Sequence, residues 1–164
     1  MGFKYFSHTA DIGIEVEANS LRELTLDSID AVASYIYNGY KKYNYNRKEK
    51  NSNKKYYDVN NIKYENIVVE SDSIDLLIIK IINEILYYAD IYRSVLLHFH
   101  YNYLLPENED VKITSNLPSL FFSGVSVFYR DFEKNEVNEV KAATLGSLEF
   151  RYNKRYFLKF IIDV

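Results

Sequence analysis

DIGIEVEANSLRELTLDSIDAVASYIY, residues 11–37, changes its period halfway along. Ile12, Ile14, Val16 and Ala18 alternate with Gly13, Glu15 and Glu17, the two-residue period of a strand with one buried face. That strand ends near Asn19. Ser20 followed by Glu23 forms a capping box, and Leu21, Leu24, Ser28, Ala31, Val32 and Tyr35 then recur at helical spacing to about Tyr37. A strand running directly into a helix is the unit from which the rest of the chain is read.

Downstream, strand content returns at residues 64–69, and Asp72 is placed to cap a second helix with Asp75 in its first turn, where the helix dipole favours an acid. Leu77, Ile78, Ile81, Ile82, Ile85 and Leu86 give this helix a broad apolar stripe, so it should be the main helix packed on the sheet. The remainder reads as strands at 95–103, 120–129, 142–152 and 156–164, with a short piece at 111–114 and a last turn made by Asn153 and Lys154. One or more strands, a helix, strand content, a helix and a strand-rich second half predict an α+β fold. The expected architecture is a two-layer sandwich, two helices packed on a mostly antiparallel β-sheet, with 1–164 as a single domain.

Between those elements, residues 39–61 contain YKKYNYNRKEKNSNKKYYDVNN, which is polar, repetitive and without apolar periodicity. Such a segment cannot bury enough surface to offset the entropy of ordering it, and it reads as a flexible Asn/Lys/Tyr-rich insertion. Its Tyr40, Tyr43, Tyr45, Tyr56 and Tyr57 interleave with Lys and Arg, the ingredients of a weak RNA contact through 40–57.

Composition narrows the chemistry. There is no Cys among the 164 residues, which removes disulfides, thiolate metal sites and Cys nucleophiles together. Any metal must therefore be held by oxygen or imidazole. A net charge of −3 is not the positive field of a protein that lives on nucleic acid, so a protein partner is at least as plausible as RNA. No run approaches the roughly 20 apolar residues of a membrane span, and no GxxxxGK[ST] phosphate cradle is present. The expectation is an intracellular protein, cytoplasmic and/or nuclear, with no membrane association.

Four segments carry a resemblance: FSHTADIGIEVEA at 6–18, LLIIKIINEILYYAD at 76–90, VKAAT at 140–144 and FIIDV at 160–164. In that order they resemble the archease family, over nearly the whole chain apart from the insertion. The resemblance implies a divalent-cation site, calcium favoured and magnesium the second candidate, at Asp11, Asp163 and Val164, the last through its terminal carboxylate. Hard cations take oxygen ligands, so the chemistry agrees, although calcium prefers six to eight of them and the shell would need waters, carbonyls or a partner. It also implies a function: a metal-binding, non-enzymatic activator of an RtcB-type GTP-dependent RNA ligase in tRNA splicing, promoting ligase guanylylation and multiple turnover.

His8 reads as a hydrogen-bonded residue orienting the HTAD turn beside that site, and Lys141 as a cation steadying it or meeting a phosphate. His98 and His100 share one strand face but lack a third ligand nearby and read as surface residues. Ser7, Thr9 and Thr144 form no nucleophile arrangement. Two other functions compete: a metal-dependent hydrolase using the same carboxylates, and a chaperone-like or RNA-binding module using the basic insertion.

Overall fold

The computed structural model describes residues 2–37, 59–105, 120–129 and 137–164. The elements in order are β1 (Gly2–His8), β2 (Asp11–Ala18), α1 (Leu21–Ile36), a 3₁₀ turn (Val59–Asn61), β3 (Ile62–Ser71), α2 (Ile74–Tyr92), β4 (Val95–Leu105), β5 (Leu120–Tyr129), β6 (Ala142–Tyr152) and β7 (Tyr156–Asp163). Every strand pairing among them is antiparallel. The fold is α+β, as the sequence predicts, but the strands divide between two sheets. One has the order β1-β2-β7-β6 and the other β3-β5-β4.

Both helices touch both sheets: α1 lies against β1, β2, β7 and β4, and α2 against β3, β5, β4 and β6. This explains the breadth of the α2 stripe. Ile74, Leu77, Ile78, Ile79, Ile81, Ile82, Ile85 and Leu86 are all buried, and at about 3.6 residues per turn they cover more than half of the helix circumference. A helix serving two sheets needs that width. Each such side chain contributes roughly 2 kcal/mol when removed from water, so α2 is the centre of the core.

The predicted capping box at the start of α1 is present: the Glu23 N–H donates to Ser20 Oγ at 3.1 Å. The Glu23 carboxylate reaches back one residue further than the usual box and accepts from the Asn19 N–H at 3.0 Å. For α2 the expectation needs correcting. The N-cap is Ser73 rather than Asp72, and Asp75 in the first turn accepts from both the Ser73 hydroxyl and the Leu76 N–H. Ser73 has the extended backbone of a cap, leaving Asp72 outside the helix and exposed.

β1 is a strand that the sequence reading missed. Its alternation is blurred because both faces carry aromatics: Tyr5 turns inward and its hydroxyl donates to the Ala31 carbonyl of α1, whereas Phe6 sits on the opposite face. The last hairpin turns where expected, with Tyr152 opposite Tyr156 and Lys154 at φ 61°, the left-handed conformation a tight loop demands. The insertion predicted at 39–61 lies outside the described residues except for the Val59–Asn61 turn, and so does the short strand predicted at 111–114.

Candidate metal centre

The hairpin β1–β2 closes through Thr9 and Ala10, with His8 and Asp11 as its last pair. Thr9 adopts φ 48°, a conformation that β-branched residues rarely take, so the turn holds local strain while setting His8 and Asp11 side by side. On the other side of β2, Ile12 pairs with Ile162 of β7, and one further step along that antiparallel register sets Asp11 opposite Asp163. β6 continues the row: Ala142 pairs with Asp163, and the Lys141 N–H donates to the Asp163 carbonyl at 2.9 Å. One end of the four-stranded sheet thus carries His8, Asp11, Asp163 and Ala142 across adjacent strands, each about 4.8 Å from the next, with Lys141 just before the start of β6.

Asp11 and Asp163 share the face turned away from α1, since the inward residue of β1 is Tyr5 and His8 follows Lys4 and Phe6 on the other side. Lys141 reaches the chain end. Its ammonium donates to the Val164 main-chain oxygen at 3.0 Å and stands 3.7 Å from the Asp163 carboxylate. Both side chains are about half exposed, so this ion pair is open to water and its attraction is screened. Among the described residues the buried His8 Nδ1 has no hydrogen-bond partner, so the hydrogen bond expected of His8 is not made at this nitrogen.

The five residues assigned to the site in the sequence, His8, Asp11, Lys141, Asp163 and Val164, therefore lie at one sheet end, where Lys141 contacts Asp163 and Val164. The donor set suits a hard divalent cation in kind: two carboxylates and a main-chain oxygen. It falls short in number. Among the described residues no three His, Cys, Asp or Glu side chains gather as a ready-made metal cage.

Beneath this row lies an apolar one that sequence reasoning did not single out. Phe6 pairs with Gly13, and a Cβ at Gly13 would stand 2.0 Å from the Phe6 ring. Gly13 is a glycine because the ring lies across it. The signal was available, since a glycine inside a strand marks a close approach. The Lys159 ammonium sits 4.6 Å over the same ring, and beyond it the face is a lattice of paired charges: Lys4 with Glu15 at 2.8 Å, Lys159 with Glu15 at 3.9 Å, Arg151 with Glu149 at 2.8 Å. Arg151 also covers the Phe157 ring at 4.3 Å.

His98 and His100 do share a face, opposite Val127 and Val125, but only His100 is a surface residue. His98 is half-buried. Burial, and then the charge of His100, hold it below its ordinary range against the opposing pull of Asp30. Neither joins the row at the sheet end.

What the fold and this site define is a small α+β protein with an acidic, hard-donor centre at one end of an antiparallel sheet. The solution structure of Methanobacterium thermoautotrophicum protein 1598 has the same fold, with a TM-score of 0.60 over 99% of each chain at 18% identity. At that identity the likeness speaks for the fold alone. Residues 3–164 match the archease protein family (MTH1598/TM1083), and the chain belongs to that family, which is related to tRNA splicing. A search of the curated proteins finds no match. Among the described residues no helix is long and apolar enough to cross a membrane.

Proposed function

We propose that the protein is a non-enzymatic activator of an RtcB-type GTP-dependent RNA ligase in tRNA splicing, working through a divalent cation held at Asp11, Asp163 and the Val164 main-chain oxygen. The observation that supports this reading is convergence: residues from opposite ends of the sequence stand in one row, with two acids side by side. Like charges directly across a strand pair are destabilising, so such a pair needs a reason outside the fold. Calcium is the favoured ion and magnesium the second candidate, because the donors are oxygens.

A bound divalent ion supplies positive charge that a ligand or partner oxygen can share. Asp11 and Asp163 hold it from neighbouring strands, and His8 borders them. Lys141 neutralises part of the acid charge and offers an ammonium to phosphate oxygens approaching the sheet end. The donor count leaves coordination positions for a partner, which suits a protein that assists an active site and does not contain one. The place of action is intracellular, cytoplasmic or nuclear, and the insertion at 40–57 adds at most a weak RNA contact.

The test mixes the protein below stoichiometry with the cognate ligase, GTP, a divalent ion and cleaved tRNA halves. Multiple-turnover ligation should rise, together with ligase guanylylation. Absence of stimulation with every divalent ion would sink the reading. Phosphatase or nuclease turnover by the protein alone, lost in Asp11→Ala, would favour the hydrolase instead.

A further inference from the structure

Asn83 interrupts the apolar run of α2, IIKIINEIL, and its side chain is spent on a single residue of β6. Its Nδ2 donates to the Ala143 carbonyl at 3.0 Å and its Oδ1 accepts from the Ala143 N–H at 2.8 Å. Among the described residues β6 is an outer strand of its sheet, and no described strand lies on the side of Ala143 away from β7. Ala143 is nevertheless only 4% exposed, and water is no substitute partner there. A carboxamide carries the same donor and acceptor as a peptide group, and Asn83 replaces a neighbouring strand for one residue.

The position of this clamp matters more than its existence. Ala143 pairs with Ile162 and Ala142 with Asp163, so the clamp is one residue from the acidic row and two from Lys141. Behind it the ladder fails: register with β7 is lost after Thr144 and resumes only at Glu149. The start of β6 is therefore a short paired piece, Ala142 to Thr144, cut off by a bulge from the rest of its strand. A piece so short specifies its register weakly, and a slip by one residue would turn every side chain to the other face.

We propose that Asn83 is a positioning residue for the acidic row: from α2 it holds the start of β6 in the register that keeps the Lys141 ammonium against Asp163 and Val164. This rests on the reading of that row as a cation site. Lys141 opposes a second cation beside the same oxygens, so anything that dislodges it raises cation affinity, whereas general loosening of a site shared between strands lowers it. The sign of the effect separates positioning from mere support.

The experiment measures calcium and magnesium binding by calorimetry for the full chain, Lys141→Met, Asn83→Leu and the double variant, with amide hydrogen exchange on the ion-free proteins. Lys141→Met should bind more tightly, by on the order of tenfold, for removal of one unit charge a few ångströms from a divalent ion and partly screened by water. Asn83→Leu should move in the same direction, and the double variant should match Lys141→Met, since the two act through one group. Exchange of the Ala143 and Lys141 amides should accelerate together in Asn83→Leu. Should that variant not fold, Asn83→Gln, with the same groups on a longer arm, is read the same way. Lower affinity in Asn83→Leu, additive effects, or a Lys141 amide that keeps its protection would overturn the proposal. If the wild-type chain binds neither ion, the cation reading fails, and hydrogen exchange alone decides whether Asn83 positions Lys141.

Discussion

Two rows of the same sheet face, only a few residues apart, treat their charges in opposite ways. In the row through Lys4, Glu15, Lys159 and Glu149, Glu15 lies between two lysines, and Glu149 carries Arg151 at 2.8 Å. In the row at the sheet end, Asp11 and Asp163 stand beside one another, and among the described residues the ion pair there is that of Lys141 with Asp163, at 3.7 Å. The first row is what strand pairing favours: opposite charges across neighbouring strands. The second runs against that rule. The contrast teaches where to look for function in this molecule, because a sequence that balances charge elsewhere leaves it unbalanced where something else must complete it.

Phe6 and Gly13 separate the two rows, and the strongest perturbation is to remove that separation. Gly13→Ala places a methyl where the Phe6 ring lies, and overpacking of this kind costs about 1–3 kcal/mol, less where the partly exposed ring can turn aside. Thermal unfolding should shift down by several degrees. Phe6→Leu in the same chain should restore part of the loss, and no recovery would mean that the clash is elsewhere.

A smaller effect should split the rows cleanly. Asp11→Ala or Asp163→Asn should weaken divalent binding by at least about tenfold, as loss of a charged ligand does, while leaving the melting temperature unchanged or slightly raised. Glu15→Gln should do the reverse: a small loss of stability with cation affinity intact. If Glu15→Gln weakened cation binding as much as Asp11→Ala, the two rows would be one electrostatic unit and not two.

His98 offers a control far from both rows. Its folded value lies below the ordinary 6.5, so the unfolded chain binds its proton more readily. Stability therefore falls as pH drops through about 6.5, and His98→Gln should flatten that part of the curve in chemical denaturation, while Asp11→Ala should leave it alone.

Much of this was legible in the sequence, and the exceptions have physical causes. The alternation at residues 12–18 and the stripe from Leu77 to Leu86 announce a one-faced strand and a buried helix, because burial acts through periodicity. The same Ile-rich stripe also hid something: its width required two sheets, but breadth in a helix does not say what covers it. β1 escaped because Tyr5 and Phe6, adjacent and both aromatic, point to opposite faces and erase the alternation. Asp11 and Asp163 could be named only through family resemblance. Nothing local in HTADIG or FIIDV states that they meet; that follows from the β2–β7 register, which joins distant parts of the chain. Asn83 was not singled out in the sequence, because its use depends on the outer edge of β6, a property of strand order that one-dimensional patterns do not carry.

The subtlest test of the contrast is acid titration of Glu15. The hydrogen bond from Lys4 is the largest influence on it, aided by the charges of Lys4, Lys159 and Arg151 and opposed by burial, and the net result holds its carboxyl below the ordinary 4.5. A carboxylate with a depressed folded value binds protons less readily folded than unfolded. Its contribution to stability is complete above 4.5 and is lost as pH falls through the lower folded value. In Glu15→Gln that loss cannot occur, so the stability of the variant should approach that of the wild type at the acid end and fall behind only above about 4.5. The gap should be small and should close in high salt, because the Lys4 side chain is 74% exposed and the pair is screened. Unfolding curves at matched pH with and without salt measure it. A gap of the same size at every pH would mean that Glu15 stabilises the sheet by packing, and that charge pairing is not what sets its row apart from the acidic one.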